Sequence, residues 1–201
     1  QVGVSSRTRD FGYDKLDRLL SSSNVPETFS FDPVGNQLQN GQNHDAANRL
    51  LMDNDFTYQY DRNGNLISKT QISNSQTTTY TYDAENRLIG VTTPTTNITY
   101  RYDVQERRIE KNVNGVITRY VYDGLDLLFE ADGSNQLTVK HTFGSGIDQP
   151  LMREELDAGL NTVAAHVYHQ NGNNNVVALT DLTGNVVESY EYSAFGKLSV
   201  F

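Results

Sequence analysis

At 201 residues the chain can bury a core of real size, yet only 36% of it is hydrophobic and twelve tyrosines carry much of the apolar weight, which fits many two-faced strands better than one thick core. The net charge of −9, with sixteen Lys and Arg that form no basic stripe, argues against a nucleic-acid partner. The absence of cysteine excludes a disulfide framework and leaves the redox compartment unreadable, and no run reaches the roughly twenty apolar residues of a membrane helix.

Gln1 to Ser6 has no signal-peptide pattern, and the chain does not begin with Met. It reads as an interior piece or a processed chain whose export route is encoded elsewhere.

Residues 1–54 are read as degenerate repeats. Phe11-Gly12-Tyr13-Asp14 with Arg18-Leu19, Phe29-Ser30-Phe31-Asp32 with Gly35-Asn36, and His44-Asp45 with Asn48-Arg49-Leu50 are variants of one phrase. Ser21 to Pro26 and Gln37 to Asn43 read as polar loops, so short, irregular strands are expected.

Residues 55–131 state the phrase cleanly. Tyr58-Gln59-Tyr60-Asp61-Arg62-Asn63-Gly64-Asn65-Leu66 is followed by Tyr80-Thr81-Tyr82-Asp83-Ala84-Glu85-Asn86-Arg87-Leu88, then by Tyr100-Arg101-Tyr102-Asp103 and Tyr120-Val121-Tyr122-Asp123. Tyrosines two apart leave the same face of a strand, and Asp and Asn bend a chain by bonding their own backbone. Each phrase therefore predicts a β-hairpin. The aspartates recur at a period near twenty, the mark of a repeat architecture. One hairpin is marginal in water, so stability must come from neighbours, with stacked tyrosines as the expected ladder. The charges on Arg87, Arg107, Arg108 and Lys111 need no more than a solvated face or cross-strand acids such as Glu85, Glu106 and Glu110.

Residues 132–201 continue the strands. A hairpin turns at Asp132-Gly133-Ser134-Asn135, Gly144 to Pro150 connects, Leu151 to Leu156 can form a short helix or a strand, with strand the favoured reading, and further turns fall at Gln170–Asn173 and Leu182–Asn185. Tyr190-Glu191-Tyr192-Ser193 with Gly196 closes the series. The whole is expected to be one all-β array of stacked antiparallel hairpins, a curved solenoid-like sheet.

Catalytic and metal chemistry find little support. Asp61-Arg62-Asn63-Gly64-Asn65 spaces oxygen ligands as calcium loops do but lacks the downstream glutamate, and Asn-Gly is a strong hairpin signal by itself. His166 and His169 point to opposite faces of a strand, and packing is the better reading for them and for His44 and His141, since no zinc-type spacing occurs. No G-x-S-x-G elbow or phosphate loop is present. No enzyme activity, catalytic residue, metal or cofactor is expected. The sequon Asn97-Ile98-Thr99 matters only if the host glycosylates.

The repeated Y-x-Y-D-x-x-(G/N)-(N/R)-L phrase resembles the YD repeat of the RHS/YD-repeat family, which includes bacterial Rhs proteins, Tc-toxin shell components and teneurins. Gly144 to Leu151, Tyr168-His169, Val177 to Asp181 with Gly184 to Val187, and Tyr190 to Gly196 resemble the lead-in to the RHS-associated core. That resemblance implies a β-sheet strip forming a hollow shell, around a toxin in Rhs and Tc proteins and as an adhesion scaffold in teneurins. It also implies a secreted or cell-surface protein, most simply bacterial. Asp32-Pro33-Val34-Gly35 matches the family's cleavage string only superficially and reads as a turn. An aspartic protease needs paired carboxylates, which separate hairpins do not supply.

Three readings stay open. The chain is a shell segment enclosing a toxin polypeptide, a scaffold binding a cell-surface glycan or receptor, or part of an autoprotease whose cleavage region lies elsewhere. Its open strand edges are expected to pair with the remainder of its own chain.

Overall fold

A computed structural model describes residues 10–23, 26–146 and 148–201. The opening segment Gln1 to Ser6, and parts of the Ser21–Pro26 loop and the Gly144–Pro150 connector, lie outside these. Among the described residues there is no α-helix, only one 3-10 turn at Gln39–Gly41. The strand expectation holds across the described residues, and among them no helix is long and apolar enough to cross a membrane.

Two compact units divide the chain, residues 1–76 with 192–199 and residues 77–191 with 200–201. In the first, β1 (Phe11–Tyr13), β2 (Leu19–Ser22) and β3 (Glu27–Thr28) make a small antiparallel sheet. β4 (Asn43–His44), β5 (Leu50–Met52), β6 (Phe56–Tyr60) and β7 (Leu66–Gln71) then pair in sequence order. As expected of degenerate repeats, strands before residue 54 have at most four residues.

The second unit is a run of sequential antiparallel strands. These are β8 (Thr77–Tyr82), β9 (Leu88–Thr92), β10 (Asn97–Tyr102), β11 (Arg108–Val113), β12 (Val116–Asp123) and β13 (Asp126–Asp132). β14 (Leu137–Phe143), β15 (Pro150–Leu156), β16 (Thr162–Gln170), β17 (Val176–Thr180) and β18 (Val186–Tyr192) continue the order. Beyond β18, Ser189 and Phe201 exchange two backbone hydrogen bonds of 3.0 and 2.9 Å.

Threonine, tyrosine and β-branched residues suit a pleated, half-buried surface, and pairing register shows how the faces are used. Tyr80 stands opposite Val91, which pairs with Ile98, which pairs with Val113. On the other face Thr81, Gly90, Thr99, Asn112 and Ile117 form the parallel row. Gly90 is buried there, and a Cβ on it would meet Thr81 Oγ1.

The core is thin. Among the described residues only Ala131, Val139 and Ala165 are buried apolar side chains, and no large side chain is fully buried. Glu154, opposite Ala165 in the register, is also buried, with Lys140 Nζ 2.8 Å from one carboxylate oxygen and the Thr162 hydroxyl donating to the other at 2.9 Å. The lysine contact, then the hydroxyl, holds this carboxyl below its ordinary range. With so little apolar burial, stability has to come from turns and from contacts between hairpins.

Candidate functional site: a recurring aspartate turn and its clasp

One turn recurs through the chain. In it the aspartate N–H donates to the carbonyl four residues on, and the N–H three residues on returns to the aspartate carbonyl. This holds for Asp14, Asp32, Asp45, Asp61, Asp83, Asp103, Asp132, Asp157 and Asp181, and also for Asn171 and Ser193. The residue at the third position has positive φ each time, for example Gly64 at 88°, Asn86 at 62° and Gly196 at 81°. A turn followed by one left-handed residue is the three-residue hairpin loop with a bulge. Accordingly the register slips at the last tyrosine, so that Tyr60 faces Leu66, Tyr82 faces Leu88 and Tyr102 faces Arg108.

Both carboxylate oxygens are committed. Asp83 Oδ1 accepts the N–H groups of Glu85 and Arg87 at 3.0 and 2.9 Å, and Oδ2 takes Arg87 Nε at 2.7 Å. Asp61 does the same with Asn63, Asn65 and the Asn65 side chain. Hydrogen bonds to an ionised carboxylate favour that form. The Arg87 N–H leads in holding Asp83 below its ordinary range, and the Asn65 side chain leads for Asp61. A carboxylate so occupied has little left for a cation, which supports the bare-turn reading of residues 61–65. Among the described residues no cluster of three His, Asp or Glu side chains could hold a metal.

The residue four after the aspartate joins one hairpin to the next. Arg87 Cζ lies 5.3 Å from the Tyr102 ring centroid, and its Nη1 donates to the Asp103 carbonyl at 3.3 Å. Arg49 repeats this on Tyr60 and Asp61, and Arg18 on Phe31 and Asp32. Arg107 covers Tyr122 at 5.1 Å and donates to the Gly124 carbonyl. In return the tyrosine hydroxyl reaches back to the earlier hairpin: Tyr60 to the Leu50 carbonyl, Tyr102 to that of Leu88 and Tyr122 to that of Arg108, at 2.8 to 2.9 Å. Cation–π contact and hydrogen bond thus act on one ring.

Several sequence expectations are corrected here. Arg87 does pair with Glu85, its Nη2 2.9 Å from Oε2, but Arg87 and Arg107 do more than the expected pairing: their side chains are 25% and 24% exposed and serve as the clasp. Arg108 is inserted between the Tyr100 and Tyr120 rings, 5.2 and 5.5 Å from their centroids, so this rung alternates ring and guanidinium. Asp123 does not build the repeat turn; it faces Asp126 across a two-residue loop in which Gly124 has φ 57°. His141 and His169 are more than packed rings, since His141 Nε2 lies 3.0 Å from Glu130 Oε1 and His169 Nε2 lies 2.9 Å from the Thr180 hydroxyl. The turn reading of Asp32-Pro33-Val34-Gly35 stands, with Asp32 capping it, while Asp157, which sequence reading did not single out, caps another.

Tyr190-Glu191-Tyr192-Ser193 ends differently. Ser193 Oγ accepts the Lys197 N–H at 2.9 Å, the Ala194 N–H donates to Glu27 Oε2 at 2.9 Å, and Phe195 meets Phe29 edge-on at 4.7 Å. These contacts lie within the first unit and seat the closing motif against the region around β3.

The arrangement is that of a β-hairpin repeat protein whose repeats are locked by capped turns and aromatic clasps. Residues 60–98 match the family model described as RHS Repeat. The tRNA nuclease WapA of Bacillus subtilis (strain 168) is 32% identical over 203 residues, 92% of this chain and 8% of that protein. The double-stranded DNA deaminase toxin A of Burkholderia cenocepacia (strain H111) is 27% identical, over 94% of this chain and 15% of that protein. Among solved structures, the Photorhabdus luminescens Tc holotoxin pore aligns with 94% of this chain and 14% of its own, at 12% identity and TM-score 0.38. The TcdB2-TccC3-Cdc42 structure gives 94%, 15%, 14% and 0.41. The chain belongs to the RHS-repeat family, and it spans less than a sixth of these relatives' lengths.

Proposed function

We propose that this chain is a non-catalytic wall segment of an RHS shell that encloses a toxin polypeptide outside a bacterial cell, with the remainder of its own chain continuing the sheet at its strand edges. What carries the reading is the use of the repeat's functional groups. The Asp61, Asp83 and Asp103 carboxylates, the Arg87 and Arg107 guanidiniums and the Tyr60, Tyr102 and Tyr122 hydroxyls are spent on turns and on neighbouring hairpins, which builds stiffness and leaves little of them for a substrate. The names of the relatives, a tRNA nuclease and a DNA deaminase toxin, are consistent with a toxic activity located beyond the matched repeats.

The test is intact-mass analysis and limited proteolysis of the parent protein purified from its own host. Enclosure predicts a polypeptide that co-purifies with the repeats and resists protease until the repeats are denatured. A parent with nothing protected inside would leave adhesion as the reading to pursue. Phe11 and Tyr13, exposed on β1, are the aromatic surface that a glycan would stack on.

A further inference from the structure

We propose that Asn171 is a self-modifying site, at which attack by the Gly172 nitrogen expels the side-chain amide and converts the asparagine to aspartate. Four Asn-Gly steps occur in the chain, at Asn40, Asn63, Asn114 and Asn171. Asn171 alone among them occupies the cap position of the recurring turn, where nine other turns carry aspartate.

The cap geometry supplies the chemistry. Asn171 Oδ1 accepts the backbone N–H groups of Asn173 and Asn175 at 2.9 and 3.1 Å. Two preorganised donors on a carbonyl oxygen are an oxyanion hole for a tetrahedral intermediate at Cγ. The nucleophile is adjacent and available, since the Gly172 N–H makes no hydrogen bond within the turn. Gly172 is exposed, and a Cβ there would meet nothing within 4 Å, so water has access.

The steps balance with water as the sole co-reactant. The Gly172 N–H loses its proton to solvent, the N–Cγ bond forms, and the Cγ–Nδ2 bond breaks as Nδ2 departs as ammonia, leaving a succinimide. Water then adds to an imide carbonyl. Addition at Cγ places the new oxyanion on Oδ1, under the same two N–H groups, and breaks the N–Cγ bond to give aspartate. Addition at the main-chain carbonyl would give isoaspartate without that assistance.

The product completes the turn. In sister turns the second carboxylate oxygen accepts the side-chain amide four residues on, as Asp32 does from Asn36 at 2.8 Å and Asp61 from Asn65 at 2.9 Å. Asn171 carries an amide nitrogen in place of that oxygen, and the residue four on is again an asparagine, Asn175. Deamidation turns the donor into an acceptor and lets Asn175 pair as its counterparts do.

The other three steps lack this arrangement. Asn114 Oδ1 accepts one N–H, from Asn97 at 2.8 Å, and its Nδ2 contacts the Thr95 carbonyl. Asn63 lies two residues after the Asp61 cap, where its own N–H donates to Asp61 Oδ1, and Asn40 lies in the 3-10 turn with φ 55°.

The test is peptide mapping by mass spectrometry of the full chain during incubation in mildly alkaline buffer, with fragmentation that separates aspartate from isoaspartate. The Asn171 peptide is expected to gain one dalton several-fold faster than the other three, with aspartate as the main product. In thermal melts Asn171→Asp is expected to raise the Tm over the unreacted chain, and Asn175→Ala to cancel that gain. Retention of the Asn171 amide while Asn63 or Asn114 reacts, or a product that is mainly isoaspartate, would overturn the proposal.

Discussion

Arg87 and Tyr102 belong to successive hairpins and hold each other from two sides. The guanidinium lies over the ring at 5.3 Å, while the Tyr102 hydroxyl donates 2.8 Å to the carbonyl of Leu88, the residue after Arg87. Separating the hairpins breaks both at once, which makes the pair a cooperative unit. Tyr102→Phe, which keeps the ring, is expected to cost about 1 kcal/mol for the lost hydrogen bond. Tyr102→Ala should cost more, but less than the ~3–5 kcal/mol of a fully buried ring, because Tyr102 is only half buried. In chemical denaturation, Arg87→Ala should lose much of its effect in the Tyr102→Ala background; strictly additive effects would show that the two residues do not act together.

Leu160 sits at the left-handed third position of the Asp157 turn with φ 64°, and it is 55% exposed. A leucine there stores roughly 1–2 kcal/mol of backbone strain that glycine lacks. Leu160→Gly is therefore expected to stabilise the protein slightly, net of the glycine entropy cost. A fall in Tm would contradict this.

Asp181 gives the clearest pH signature. The Thr183 hydroxyl, then the Asn185 N–H, hold its carboxyl down at about 2, against 3.8 without them. The folded value lies below the unfolded one, so this turn's contribution is complete above the unfolded value and is lost as pH falls through the folded one. Carboxyl NMR titration should place Asp181 near 2, and Asp181→Asn should flatten the loss of stability between pH 4 and 2. A titration near 4 would mean that the turn's bonds are not made in solution.

Phe195 and Glu27 provide a check on the first unit. If the closing motif is seated there, Phe195→Ala should raise hydrogen exchange across residues 26–30, and Glu27→Gln should weaken the bond to the Ala194 N–H. Unchanged exchange in Phe195→Ala would show that the motif does not rest on Phe29.

How much of this was legible in sequence can be seen at particular residues. The hairpins were, because alternating tyrosines followed by Asp and a Gly or Asn are local signals. Asp123 was grouped with Asp61, Asp83 and Asp103 on spacing alone, although its glycine stands one residue on rather than three, which selects a shorter loop. The arginine clasp was not read, since stacking on a ring fifteen residues away depends on how hairpins lie side by side. A signal existed even so: the residue four after the aspartate is Arg18, Asn36, Arg49, Asn65, Arg87 and Arg107 in turn, all able to donate to Oδ2. Asp132, Asp157 and Asp181 lack a preceding Tyr-x-Tyr; Asp132 and Asp181 keep the Asp-x-x-(Asn/Gly) spacing, whereas Asp157, with Leu160 at the third position, shows its kinship only in the hydrogen bonds.

Sequential antiparallel order in the second unit gives the strands a parity. Two strands, β9 and β10, separate the Asp83 and Asp103 turns, which therefore lie on one rim; three strands, β11 to β13, separate Asp103 from Asp132, which lies on the other. The chain can thus gain or lose a pair of strands and leave every later turn on its rim, whereas a single strand transfers all of them to the opposite side. Strand number in such a wall can change freely only in even steps, which is to say by whole hairpin repeats.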